Sequence, residues 1–298
     1  MEYREYNRLK SVIDEHILDF LPKVDKKSDT LYEAMKYSLT AGGKRLRPVL
    51  VLAACEFCGT DIRQAMPFAC AVEYIHTYSL IHDDLPAMDD DDLRRGAPTN
   101  HKVYGEAMAV LAGDGLLNSA FEVMQKDMLL YFDDIDNLKR RLKACYEIVR
   151  CAGVRGMVAG QAADMEAENK QCSKEMLDYI HINKTAALIR GAVLAGAHLG
   201  GADEETREIL VSWAENMGLA FQIVDDMLDV CGDEAIIGKK TGVDIIQNKS
   251  TYPSLYGMED SGKRVLSLLS EADELLAPYY DEAEVFNELT SDLRDKIR

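Results

Sequence analysis

Six aspartates crowd into residues 83–92, in His82-Asp83-Asp84-Leu85-Pro86-Ala87-Met88-Asp89-Asp90-Asp91-Asp92. Three more, Asp225, Asp226 and Asp229, lie in Phe221-Gln222-Ile223-Val224-Asp225-Asp226-Met227-Leu228-Asp229. Like charges 4 Å apart repel by about 4 kcal/mol at an effective dielectric near 20. Such a group either splays into water or holds cations. Hard carboxylate oxygens suit Mg2+, which also bridges to phosphate oxygens. Neither run fits the EF-hand calcium loop. The available cations are Lys44, Arg45 and Arg47 in Gly43-Lys44-Arg45-Leu46-Arg47, then Arg94 and Arg95, Lys184 before Thr185, Lys239 and Lys240, and Lys249. Each alone suggests a solvated surface charge. Beside two carboxylate clusters they supply what a diphosphate requires, forks from Arg and point charges from Lys.

These groups depend on helices for their placement. An isolated acidic run is ordinarily a solvated loop, but the first follows an apolar helical pattern (Ala71, Val72, Ile75, Leu80, Ile81). On an ideal helix Asp89 falls about 120° off the face of Asp83. A kink or bulge at Pro86 returns it beside Asp83 and Asp84. In the second run Asp225 and Asp229 are stacked at i, i+4, and Asp226 is one step round. Helical periodicity covers 48–58, 65–86, 104–128, 135–152, 155–167, 174–199, 204–230, 259–277 and 281–297. Thr30-Leu31-Tyr32-Glu33 suggests a capping box. No convincing polar/apolar alternation and no Pro/Gly/Ser-rich linker interrupts the chain. The expectation is one all-α helical bundle spanning 1–298, with 231–250 as an internal loop.

Of 298 residues, 34 are Lys or Arg and 52 are Asp or Glu, a formal charge of −18. That balance argues against nucleic acid and against an anionic membrane as partners. No apolar run approaches the roughly 18 residues of a membrane span. The charged N-terminus lacks a signal-peptide core. The seven cysteines suggest reduced, buried thiols and a cytoplasmic protein. Neither a P-loop nor a G-x-G-x-x-G fingerprint is present.

The ordered set of motifs resembles the trans-type isoprenyl diphosphate synthases over nearly the whole chain. It comprises Gly-Gly-Lys-Arg-Leu-Arg-Pro (42–48), Asp-Asp-x4-Asp with Leu-Arg-Arg-Gly (83–96), and Gly-Gln-Ala-Ala-Asp (160–164). Lys184-Thr185, the run 221–229, Gly238-Lys239, Asp244 and Lys-Ser-Thr-Tyr-Pro (249–253) complete it. Within the family the chain is most similar to the bacterial branch that makes farnesyl diphosphate. The resemblance implies an isoprenoid-synthase helical bundle around a central cavity, a homodimer, and Mg2+, three per site, with Mn2+ as a substitute. It assigns Asp83, Asp84, Asp89, Asp225, Asp226 and Asp229 to the metals, with Asp225 as the most direct ligand of the second set. Arg94, Lys184, Thr185, Gln222, Lys239 and Lys249 fall where the family contacts the allylic diphosphate. Lys44, Arg47, His76 and Arg95 fall where it binds isopentenyl diphosphate.

The implied reaction ionises an allylic diphosphate, a step eased by charge stabilisation on the leaving group. Isopentenyl diphosphate then attacks the cation, and a proton is lost, plausibly to the departed diphosphate. Condensation proceeds from dimethylallyl to geranyl to farnesyl diphosphate. Rival readings are a geranylgeranyl diphosphate synthase, a terpene cyclase (which lacks the second aspartate run and the isopentenyl segment), and a non-catalytic regulatory subunit. Tyr78 and Ser79, five and four residues before Asp83, resemble the floor that limits product length.

Overall fold

The computed structural model describes residues 3–23, 25–168, 170, 172–231 and 250–297. The motif residues Lys239 and Lys249, and nearly all of the expected 231–250 loop, lie outside the described residues. The helices are α1 (Arg4–His16), α2 (Asp29–Thr40), α3 (Leu46–Phe57), α4 (Met66–Asp83), α5 (Asn100–Tyr104), α6 (Glu106–Leu129) and α7 (Ile135–Ala152). They continue as α8 (Met157–Ala167), α9 (Lys174–Ile180), α10 (Ala187–Gly200), α11 (Glu204–Cys231), α12 (Tyr252–Tyr256), α13 (Met258–Leu276) and α14 (Glu284–Lys296). The all-α expectation holds. The one exception among the described residues is a hairpin of two-residue strands, β1 (Leu93–Arg94) and β2 (Ala97–Pro98), with Leu93 opposite Pro98.

Helix α10 is apolar all round and forms the axis of the bundle. It is buried from Leu188 to Gly200 except where Arg190 and His198 reach the edge. A helix without a polar face must be covered on every side, and α3, α7 and α11 do this. Helix α4 is similarly apolar and packs on α6 and α3, so its C-terminal end delivers the first aspartates from inside the core. At the base, Phe286 of α14 meets Trp213 of α11 edge-on, with ring centroids 4.7 Å apart.

The boundaries differ from the sequence expectations at informative places. Thr30 does not cap α2. The helix starts one residue earlier behind Ser28, and no side chain caps it. The single helix expected over 174–199 is broken by a π-helical segment, His181–Ala186. The pattern over 65–86 stops at Asp83. Six described cysteines are free. Burial pushes the Cys55 thiol up to about 12 and Cys58 up to about 11, which keeps both protonated. Among the described residues no helix is long and apolar enough to cross a membrane.

Candidate active site

The chain doubles back at the end of α4. The amide of Asp89 donates to the carbonyl of Asp83 at 2.9 Å, and those of Met88 and Asp90 donate to Leu85 at 2.8 and 3.1 Å. The turn at Pro86 therefore returns Asp89 to Asp83, as the spacing required. Burial pushes the Asp83 carboxyl up to about 6. Lys184 and Arg94 pull it down, while Asp89 and Asp84 add to the rise. Asp84 has different surroundings: it is 3% exposed and accepts from Arg94 Nε at 2.8 Å. Arg94 also reaches Asp91 at 3.2 Å, so the hairpin strand β1 clamps the acidic turn.

On α11 the three aspartates diverge. Asp225 is exposed and Asp229 half-buried, whereas Asp226 is 5% exposed and enclosed by protein donors. Its Oδ1 accepts from Gln222 Nε2 at 3.0 Å. Its Oδ2 accepts from the Tyr252 amide at 2.7 Å and lies 3.3 Å from His181 Nε2. Gln222 in turn accepts from the Thr185 hydroxyl at 2.7 Å.

The segment His181–Ala186 lies between the two runs: the Lys184 charge acts on Asp83, while Thr185 bonds Gln222 and His181 lies against Asp226. Lys184 also pairs with Asp164 at 2.6 Å. The π-helical segment carries His181, Lys184 and Thr185 together, a typical use of this rare conformation. Gly160 of α8 makes the approach possible. A Cβ there would stand 2.1 Å from the Lys184 backbone nitrogen, so only glycine lets α8 come close enough to bring Asp164, one turn on, to Lys184. Among the described residues no three His, Cys, Asp or Glu groups are arranged to hold a metal ion by themselves.

The second basic group forms around the α2–α3 break. Arg47 Nη1 lies 3.3 Å from His76 Nε2. Burial and the neighbouring Arg47 and Arg95 charges hold His76 well below its usual range, so it is neutral and accepts this bond. Burial lowers Arg47 to about 10, opposed by Glu73 and reinforced by Arg95; it stays charged at neutral pH. Arg95 donates to the Gly42 carbonyl. A Cβ at Gly43 (φ +123°) would lie 2.5 Å from the Arg95 guanidinium carbon, so this turn closes on Arg95 only with glycine. Lys44 extends toward Phe221 of α11, its Nζ 5.6 Å from the ring centre. Tyr78 is buried, edge-on to His82, whose Nε2 bonds Val110 of α6 at 3.1 Å. Ser79 donates to the His76 carbonyl at 2.9 Å.

Sequence reasoning assigned no role to Glu73, Asp164, His181 or Tyr252. Glu73 is 1% exposed and pairs with buried Arg45 at 2.7 Å. A lone acid inside an otherwise apolar helix was the available signal for Glu73. Asp164 closes a quoted motif, and its i+4 spacing from Gly160 is visible in the sequence. Tyr252 contributes a backbone amide, for which no side-chain pattern exists.

The family model described as polyprenyl synthetase matches residues 28–279. The chain is 49% identical over 267 residues to the farnesyl diphosphate synthase of Bacillus subtilis (strain 168), covering 90% of this chain and 88% of that one. It is 46% identical over 252 residues to a geranylgeranyl diphosphate synthase of Cyanophora paradoxa, covering 84% and 82%. The crystal structure of an FPP/GFPP synthase from Zymomonas mobilis superposes with a TM-score of 0.83 at 34% identity, covering 96% of this chain and 95% of that one.

Proposed function

This chain belongs to the polyprenyl synthetase family, and from that premise we infer that it is a prenyltransferase that makes farnesyl diphosphate. It condenses isopentenyl diphosphate with dimethylallyl and then geranyl diphosphate. The observation that carries the reading is that one segment, His181–Ala186, serves both aspartate runs, Lys184 acting on Asp83 and His181 and Thr185 reaching Asp226 and Gln222, next to a separate basic group of Arg47, Arg95 and neutral His76. One half suits a metal-bound diphosphate and the other a diphosphate held by guanidinium groups alone.

The donor set fits a divalent cation. Asp83 is a carboxylate whose burial outweighs the neighbouring Lys184 and Arg94 charges, and Asp225 offers exposed hard oxygens. We assign metal contact to Asp83, Asp89, Asp225 and Asp229. Asp84 and Asp226, held by Arg94 and by Gln222, Tyr252 and His181, keep those four in place. The ions are Mg2+, three per site, replaceable by Mn2+. Bound there, they would supply positive charge that stabilises the departing diphosphate.

The residues of the chain do the rest. Lys184 and Thr185, with Gln222, face the allylic diphosphate; Arg94 fixes the acidic turn beneath it. Lys239 and Lys249 belong to the same group by motif. Lys44, Arg47, Arg95 and His76 orient isopentenyl diphosphate. The allylic C1–O bond breaks with its electron pair going to diphosphate, and the isopentenyl double bond then attacks C1. The attack leaves a tertiary cation on the isopentenyl unit, and the proton lost from the isopentenyl carbon beside it passes to the departed diphosphate. Apolar α4 keeps water from the cation. The whole chain, 1–298, acts as one unit in the cytoplasm as a homodimer. Leu142 and Tyr146, one turn apart on α7, are exposed apolar side chains that a second copy could cover.

The test is incubation of the purified chain with dimethylallyl and isopentenyl diphosphates and Mg2+, followed by chromatography of the products. Fifteen carbons are expected, and none of the product when EDTA replaces Mg2+. A twenty-carbon main product would transfer the reading to a geranylgeranyl diphosphate synthase, and an inert chain would favour a regulatory subunit. Tyr78→Ala is expected to lengthen the product, because it removes a buried ring from the wall below Asp83. An unchanged product length would show that Tyr78 is core packing and not the floor.

A further inference from the structure

Two helices lie outside the matched span 28–279; α1 reaches the isopentenyl side of the site, and α14 packs on α1. On α1, the Tyr6 hydroxyl donates to the carbonyl of Lys44. One helix face on, Asp14 accepts from Arg45 Nε at 2.8 Å. Arg45 is buried in the left-handed region (φ 55°), a conformation that a non-glycine residue holds only when its surroundings enforce it. Helix α1 is itself held from the other end of the chain. Glu288 of α14 accepts from the backbone amides of Glu5 and Tyr6 at 3.1 and 2.8 Å, at the N-terminus of α1, where orphan amides and the helix dipole favour an anion. A continuous path therefore runs from Glu288 through the first turn of α1 to Tyr6, and from Tyr6 to the backbone of Lys44.

We propose that Tyr6 is a positioning residue for isopentenyl diphosphate, fixing the Lys44 backbone so that its ammonium group is presented to that substrate, and that Glu288 sets Tyr6. The turn at 42–45 is gripped on three sides. Arg95 holds Gly42, Arg45 is tied to Asp14 and Glu73, and Tyr6 holds Lys44. Of these three grips the Tyr6 bond is the one made to the Lys44 carbonyl, so its loss loosens the Lys44 backbone while the other two remain. The proposal rests on the assignment of Lys44 to isopentenyl diphosphate made above.

Tyr6→Phe keeps the ring and removes the hydroxyl. It is expected to raise the KM for isopentenyl diphosphate about 3- to 10-fold, the value of one hydrogen bond. The KM for geranyl diphosphate, kcat and the melting temperature are expected to stay near wild type. Glu288→Gln is expected to move the same KM in the same direction by less. Hydrogen exchange at the amides of residues 43–46 is expected to quicken in Tyr6→Phe. An unchanged isopentenyl KM in Tyr6→Phe, or an equal rise for both substrates, overturns the proposal where Lys44→Ala does raise the isopentenyl KM. Should Lys44→Ala leave that KM unchanged, the underlying assignment fails. The exchange measurement then decides whether Tyr6 fixes the turn at all, and unchanged exchange overturns that too.

Discussion

Asp83→Asn is expected to cut turnover by about 10²–10³-fold or more and, in metal-free protein above pH 6, to raise the melting temperature. The two effects share a cause. Burial and the Asp89 and Asp84 charges lift the folded carboxyl from 3.8 to about 6. A group raised in this way contributes its stability fully below pH 3.8 and loses it as pH rises through about 6. Above that the ionised carboxylate costs up to about 3 kcal/mol, reduced by solvent screening to about 1–2 kcal/mol. Asn removes the charge, so its advantage is full above pH 6, shrinks as pH falls and vanishes below about pH 4. Mg2+ with a diphosphate is expected to stabilise wild type more than Asp83→Asn, because ligand that binds only the folded state adds to stability. Thermal melts at pH 4 and 8, in EDTA and in Mg2+, alongside product assays, check this. Retained turnover would remove Asp83 from the mechanism. Equal melting temperatures at pH 8 would remove the charge-crowding argument.

Glu73→Leu is expected to cost about 3–5 kcal/mol in urea unfolding. The change leaves the Arg45 guanidinium inside the protein with only exposed Asp14 and the Leu39 carbonyl as partners. It also removes one of the holds on Arg45, and so on the 42–45 turn that presents Lys44, so isopentenyl diphosphate should bind more weakly. Combining Glu73→Leu with Arg45→Met removes both charges and is expected to recover most of the stability, since a buried pair replaced by apolar groups is often neutral. Substrate binding is not expected to return with it. A single variant as stable as wild type would mean that water or Asp14 satisfies Arg45 fully.

The apolar stripes of α4, α10 and α11 are long and regular, so these helices can be read directly from the sequence. The return of Asp89 could be argued because Pro86 forbids a continued helix and the displacement to be corrected is one of simple geometry. The carboxylate pairings are not readable in this way. Asp225 and Asp226 are neighbours of the same type, yet one is exposed and the other enclosed. The difference is made by Gln222, His181 and an amide 26 residues away. The π-helical segment leaves no local mark because its apolar spacing remains compatible with an α-helix on either side. Cations that looked like surface charges proved partnered: Lys184 by Asp164, and Arg94 by Asp84. The Thr30 capping signature failed for a smaller reason. Helix starts shift by a residue when the preceding turn, here Lys26–Ser28 capped by Asp25, already directs the chain.

The π-helical segment also fixes how long the chain between α8 and α10 must be. His181–Ala186 carries an extra residue within an otherwise α-helical rod. Deleting one residue there would let the rod close to regular α-helix, leaving the flanking turns near their register but moving the side chains within the segment to other faces. Lys184 would leave Asp164, Thr185 would leave Gln222, and His181 would leave Asp226. A change of length within these six positions would therefore disturb all three contacts at once.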